Sequence, residues 1–509
     1  MTKRILAALI CAAALSMTAC SSGSESSSTK SDTSTSSTTS SSSSSTTSSS
    51  TTSSSTTSSE SSASTESTES SAPEEPEAPA AKEEDFEFTE ENGEITITGY
   101  KGSDTDLVIP QKIDGKPVTV IGEKAFQRKS LKSVVIPDGV TTIGEYAFGE
   151  CGELADITIP ESVTEFINTS NIYMTPFSGT AWLKNKRAEN PLVVVNNTVI
   201  DGRTCTRSVE IPEGVKAIGE RAFNGCTTIT EISIPKSLEK IGSSAFCNCS
   251  RLTDIVLPDS VSSIGDFAFY SCTALENVTF PNNTVEMGDR IFGYDDGFND
   301  YTAPWLKKLR TADPIVIING NLIDASSATG DVIIPDSVKS VAGGSFLGSQ
   351  ISSVKLPEGI TEIPAICFEW CANLQNITIP NSVTEIGNYA FNYCSSLTSI
   401  TIPNNVTKIG DYAFAECFNL TSVTLSNNLK EIGIRAFSDC KLSSITIPDS
   451  VTDIGNMAFG STIKSVTLPD NIKHLGKNVF ASADITYRGE IYYPELYNEL
   501  VADIEANNA

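Results

Sequence analysis

The sequence predicts a β-rich solenoid: a right-handed superhelix of about fourteen coils stacked through a short-stranded parallel sheet. Three observations predict it. A phrase of the form Ile-Gly-x-x-Ala-Phe-x-x-Cys returns about every 23 residues, as at Ile386-Gly387, Ala390-Phe391, Cys394 and again at Ile409-Gly410, Ala413-Phe414, Cys417. A fixed period of this length marks one supersecondary unit stacked on copies of itself, each burying its neighbour's apolar edge. Between the phrases, Ile400 and Ile402 alternate with hydroxyl residues as in a half-buried strand, and Pro403, which cannot donate to a ladder, stops it.

The elements follow in chain order. Lys3 and Arg4, the apolar run Ile5 to Leu15 and the small residues before Cys20 form a targeting segment too short to span a bilayer. It resembles a bacterial lipoprotein signal (residues 1–19). That resemblance implies lipidation of Cys20 and an outer-leaflet anchor of more than one acyl chain. A plain secretory cut is the alternative. Residues 20–85 are Ser/Thr-rich, then Pro/Glu-rich, and cannot bury enough apolar area to offset chain entropy. As a flexible coil this stalk averages roughly 45 Å end to end. An N-terminal cap is expected over 86–120, the solenoid over 121–485 and a C-terminal cap over 486–509, its helix burying Leu496, Leu500, Val501 and Ile504.

Fourteen phenylalanines mark the coils, from Phe126 to Phe480. Gly after Ile, as in Gly219, Gly242 and Gly265, is expected to permit a tight turn. Two breaks in the beat match each other. Trp182-Leu183 is followed by Pro191, Val193 to Val195 and Asn196-Asn197; Trp305-Leu306 is followed by Pro314, Ile315 to Ile318 and Asn319-Gly320. Asn-Gly between β-rich runs signals a hairpin. Each break, near 161–211 and 281–335, therefore reads as a longer repeat variant with an extra helix and hairpin.

These residues resemble the BspA-like leucine-rich repeat family, whose pattern runs Leu-x-x-Ile-x-Ile-Pro-x-x-Val-x-x-Ile-Gly-x-x-Ala-Phe-x-x-Cys, over about residues 86 to 485. The resemblance implies a curved parallel solenoid on a bacterial surface, associated with adhesion to host proteins or other cells. It brings no catalytic residues with it.

Charge and composition narrow the function further. A net charge of -28 gives no basic footprint for nucleic acid and no electrostatic hold on anionic headgroups, so any membrane contact would come through the lipid anchor alone. The chain has a single histidine, His474, between Ile472 and Leu475, which leaves no Ser–His or Cys–His nucleophile pair in a built site. No Gly-x-x-x-x-Gly-Lys loop occurs. The cysteines three residues after a spine Phe, such as Cys394, read as buried free thiols acting as small hydrophobes. Zinc at Cys247-Asn248-Cys249 is disfavoured because Cys249 belongs to that inward series. No enzyme activity, cofactor or metal is expected.

Candidate ligand contacts lie on the strand positions between inward apolar residues: Asp156, Thr158, Glu231, Ser233, Asp254, Thr378, Thr401, Thr424 and Thr446. Thr on an exposed strand face also has a purely structural reading. The acidic, aromatic loop Tyr294 to Tyr301, with Tyr294, Phe298 and Tyr301, adds a local contact candidate. The expected partner is a macromolecule outside the cell: a host matrix protein, another cell or an envelope component. The alternative is a structural spacer or envelope scaffold with no specific ligand.

Overall fold

The computed structural model describes residues 81–168, 175–294, 300–460 and 462–508. The chain divides into two units, Met1–Pro79 and Ala80–Ala509. The described residues all belong to the second. Cys20, the segment before it, most of the Ser/Thr-rich stretch and Phe298 lie outside the described residues.

Each coil has three sides. The first is a short strand such as Ser399–Thr401, whose register partner one coil later is Ser422–Thr424 in parallel. Its middle residue points inward and its outer two outward. The second side is a two-residue strand such as Lys408–Ile409, flanked in parallel by Glu385–Ile386 and Glu431–Ile432. The third side is the turn that carries the spine phenylalanine. Here alternate N–H groups donate to the next coil: Tyr389 N to Asp411 O (2.8 Å), Phe391 N to Ala413 O (2.7 Å) and Tyr393 N to Ala415 O (3.0 Å). All three sides thus pair backbone groups between coils, which the low-dielectric interior demands.

The second side has seventeen rungs, from Glu94–Tyr100 to His474–Leu475, rather than the fourteen expected from phenylalanines. Three of its strands, Glu94–Tyr100, Thr198–Asp201 and Asn321–Asp324, are followed by no spine phenylalanine. In the first, Tyr100 packs 5.7 Å from Phe126 and takes the ring's place. After the second, Gly202 leaves room for the Phe223 ring, which a Cβ there would meet at 2.1 Å. At a rung spacing of ~4.8 Å the stack measures roughly 75 Å.

The spine rings form three columns. Phe126, Phe148 and Phe177 make the first; Phe223 to Phe292 the second; Phe346 to Phe480 the third, with centroids 4.7–5.9 Å apart along each. The variant repeats separate them. In the first, Thr180 caps helix α1 (Ala181–Glu189) by accepting from Leu183 N at 3.1 Å. Trp182 then closes the column, 4.7 Å from Phe177 and tilted by 50°. In the second, Pro304 opens helix α2 (Pro304–Ala312) and Trp305 sits 4.8 Å from Phe292 at 54°. A hairpin follows each helix, Val193–Val195 with Thr198–Asp201 and Val316–Ile318 with Asn321–Asp324. Its residues serve two cores: Val193 and Ile200 pack backward, Leu192 and Val199 forward.

The glycine after Ile has a different role from the one expected. Gly219, Gly242 and Gly265 are not among the residues with positive φ. A Cβ on Gly265 would lie 2.5 Å from Ser243 N, so these glycines let consecutive backbones touch. The left-handed conformation falls instead on side-chain-bearing residues two before and two after the spine Phe, such as Tyr389 (φ 59°) and Tyr393 (φ 58°).

Strand polarity reverses at both ends. Phe86–Glu91 runs antiparallel to Glu94–Tyr100, and Glu490–Tyr492 antiparallel to Asp484–Tyr487. Helix α3 (Tyr497–Asn508) buries Leu500 and Ile504 over the last coils, and Tyr497 donates to Gly476 O at 2.6 Å.

Candidate functional site

The outward residues of the first side form one row because successive strands pair in register. Ser133 pairs with Asp156 and Val135 with Thr158; Val256 pairs with Thr279; Ile333, Lys355 and Thr378 lie side by side; Thr401 pairs with Thr424. Asp156, Thr158, Glu231, Ser233, Asp254, Thr378, Thr401, Thr424 and Thr446 are all exposed. Thr446 differs from the others in lying on no strand, because residues 443–447 form none. That coil is one residue short between its cysteine and the next leucine, Cys440 to Leu442 against Cys417 to Leu420, so the ladder lapses there.

Polar groups along the row are held by their neighbours. Asn277 Nδ2 donates to Asp254 at 2.6 Å, Ser133 Oγ to Asp106 at 2.7 Å, and Ser352 and Ser353 both to Asp331 at 2.8 and 2.7 Å. Hydrogen bonds from Thr253 and Asn277 hold the Asp254 carboxyl below the usual carboxylate range, and those from Ser353 and Ser352 do the same for Asp331. These acids therefore stay ionised and oriented. Within this polar row stand three bare aliphatic residues: Val135, Val256 and Ile333, the last two 62% and 72% exposed. Valine and isoleucine fit strands, but so much exposed apolar surface on a polar face has no partner among the described residues.

Tyr294 and Tyr301 belong to the third side and do not join the row. Tyr301 stacks on Tyr270 at 4.9 Å, Tyr294 lies 6.0 Å from Tyr270, and the Arg290 guanidinium covers the Tyr294 ring at 4.5 Å. The same side carries an aromatic strip that the sequence reading did not single out. Trp370 and Tyr393 stack at 4.0 Å, Tyr389 and Tyr412 at 4.8 Å, and Phe418 meets Tyr393 edge-on at 6.0 Å. Tyr389, Phe418, Ile434 and Met457 are exposed around it. The signal available in the sequence was the repeated Tyr-Ala-Phe at 146–148, 389–391 and 412–414. The rings stack along the solenoid axis, so they turn mainly edges and hydroxyls outward, a geometry suited to protein contacts.

Among the described residues no cluster has metal-ligand composition. The eleven described cysteines are all free and buried.

Residues 119–181, 194–311, 316–433 and 384–499 match the family model described as BspA type leucine rich repeat region, in six copies. No protein of curated function matches the chain. Among solved structures, a leucine rich cell surface protein from Faecalibacterium prausnitzii A2-165 is 23% identical, with 83% of this chain and 97% of that one covered and a TM-score of 0.30. A leucine-rich repeat protein from Bacteroides ovatus ATCC 8483 is 24% identical over 77% of this chain and 97% of its own, TM-score 0.26. The pneumococcal vaccine antigen PcpA is 18% identical over 77% and 91%, TM-score 0.27. The family match alone spans well over half the chain and falls on the coils described above, and by it the chain belongs to the BspA-type leucine-rich repeat family.

Proposed function

We propose that this chain is a cell-surface adhesion protein that binds a macromolecular partner, a protein on another cell or in the surrounding matrix, along the outward row of its first side. The observation that carries the reading is the bareness of Val256 and Ile333 on a rigid, polar, in-register face. Apolar side chains ringed by oriented polar groups are what an interface centre needs, since burying them gives affinity and the surrounding acids select the partner. Lipidation of Cys20 would anchor the chain to the outer leaflet, with the Ser/Thr-rich residues 20–85 as its stalk. Many copies on one surface would multiply weak contacts into firm attachment.

The test is saturable binding of the purified chain to intact cells and immobilised matrix proteins. Ile333→Ser and Val256→Ser together are expected to weaken binding at least tenfold with the thermal midpoint unchanged. Binding that ignores both substitutions would remove the row as the contact surface, and no saturable binding would favour a spacer. Labelling with a fatty-acid analogue, lost in Cys20→Ala, tests the anchor.

A further inference from the structure

The two variant repeats are copies of one plan, so one can be read against the other. In both, an arginine on the added helix reaches an aspartate fourteen residues later on the hairpin. Arg187 donates to Asp201 from Nε at 3.1 Å and from a terminal nitrogen at 2.6 Å; Arg310 donates to Asp324 at 2.7 and 2.6 Å. The first copy then adds two further arginines, one of them on this fork. Arg203 donates to Asp201 at 3.0 and 2.7 Å, and Arg221, from the next rung, reaches Asn168 O. Beside it Glu220 accepts from Asn168 N at 2.7 Å.

In the second copy these three positions hold Ser326, Gly344 and Gly343. The backbone is the same: Arg221 and Gly344 share the left-handed conformation, φ 55° and 69°. What the first copy fills, the second leaves open, a cavity of about 310 Å³. Its wall includes Arg290, Arg310, Asp324, Ser326, Ser327 and Tyr294, with Leu306 and Ala342 supplying apolar surface. The volume lies at the lower end of the range for small-molecule sites, about 300–1,000 Å³.

The wall chemistry selects a class of ligand. Arg310 is matched by Asp324, and Arg290 by Glu369 at 3.1 Å, so the charges cancel in pairs and an ion meets no net opposite charge. Guanidinium donors, a carboxylate acceptor and two serine hydroxyls nevertheless stand close together, and the buried Arg290 Nε has no acceptor among the described residues. Adjacent donors and acceptors beside apolar surface suit vicinal hydroxyls on a carbon ring. We propose that the cavity in the second variant repeat binds a neutral sugar of about one hexose unit.

The experiment titrates the full chain with glucose, galactose, mannose and, as the charged control, glucuronate, followed by saturation-transfer NMR. At least one neutral hexose is expected to bind saturably with a dissociation constant of about 1 mM, as befits a dozen non-hydrogen atoms. Ser326→Arg restores the residue of the first copy and should lower that affinity at least tenfold, with the thermal midpoint held or raised because Asp324 receives the added guanidinium. Ser326→Ala, which removes only the hydroxyl that donates to Asp324 at 3.1 Å, should weaken it about threefold. No saturable neutral hexose, stronger binding of glucuronate than of any hexose, or unchanged binding in both variants would overturn the proposal.

Discussion

Two residues flanking each spine phenylalanine commonly adopt a backbone conformation that glycine enters freely and other residues enter at a cost. Lys124, Tyr389, Tyr412 and Ile366 show it on one side of the ring, and Arg128, Trp370 and Tyr393 on the other. The cost is about 1 kcal/mol each, and the inter-coil hydrogen bonds that flank the ring hold the chain there. Lys124 is exposed, and its ion pair with Glu123 lies at the surface, where such pairs contribute little. Lys124→Gly is therefore expected to stabilise the fold by about 0.5–1 kcal/mol, seen as a higher urea midpoint. Cys394 Sγ donates to Phe368 O at 3.2 Å and Cys417 Sγ to Phe391 O at 3.2 Å, one per coil. Burial first, and neighbouring thiols next, push both thiols well above their ordinary range. An aromatic disulfide reagent should thus label none of the eleven described cysteines in the native chain and all of them in denaturant. Their burial could be read from the sequence, because they keep phase with the spine. The carbonyl each one serves could not, because that partner is 26 residues away and only the fold brings it near.

The variant repeats interrupt the stack rather than merely lengthening it. Their duplicated nature was legible in the equal spacing from Trp to Pro. That Trp182 and Trp305 end the phenylalanine columns was not, nor that the hairpins divide the core into three, since both depend on which way rings tilt. The count of fourteen fell short for a related reason: Tyr100, Gly202 and Ala325 replaced the marker at rungs whose strands were otherwise regular. A further interior position separates the two copies chemically. Asp289 occupies the position of Asn168, and burial, then repulsion from Asp266, raises its carboxyl to about 7. Below about pH 4 the proton is held in both folded and unfolded chains. Between about 4 and 7 only the folded chain keeps it, so stability falls as pH rises and levels off above 7. Asp289→Asn, which copies the first repeat, should abolish this slope and add about 1–3 kcal/mol at pH 8, measurable by urea unfolding at pH 4, 6 and 8.

At the scale of the whole solenoid, the outward row was legible because strand alternation is local, and Thr378, Thr401 and Thr424 are exposed as alternation requires. The aromatic strip escaped notice because Tyr389 and Tyr412 lie 23 residues apart and become neighbours only through stacking. Acidic residues outnumber basic ones, 63 to 35, so attachment to a basic partner is expected to weaken severalfold between 50 and 300 mM salt, read from binding isotherms. A stack of near-identical coils also carries a hazard: each bare end offers unpaired N–H and C=O groups in a spacing that any sister molecule can match. The reversed strands Phe86–Glu91 and Glu490–Tyr492, with α3 beside the latter, remove that invitation by presenting the wrong polarity. What keeps this molecule a discrete particle and not the seed of an endless filament is thus a few dozen residues at its two tips.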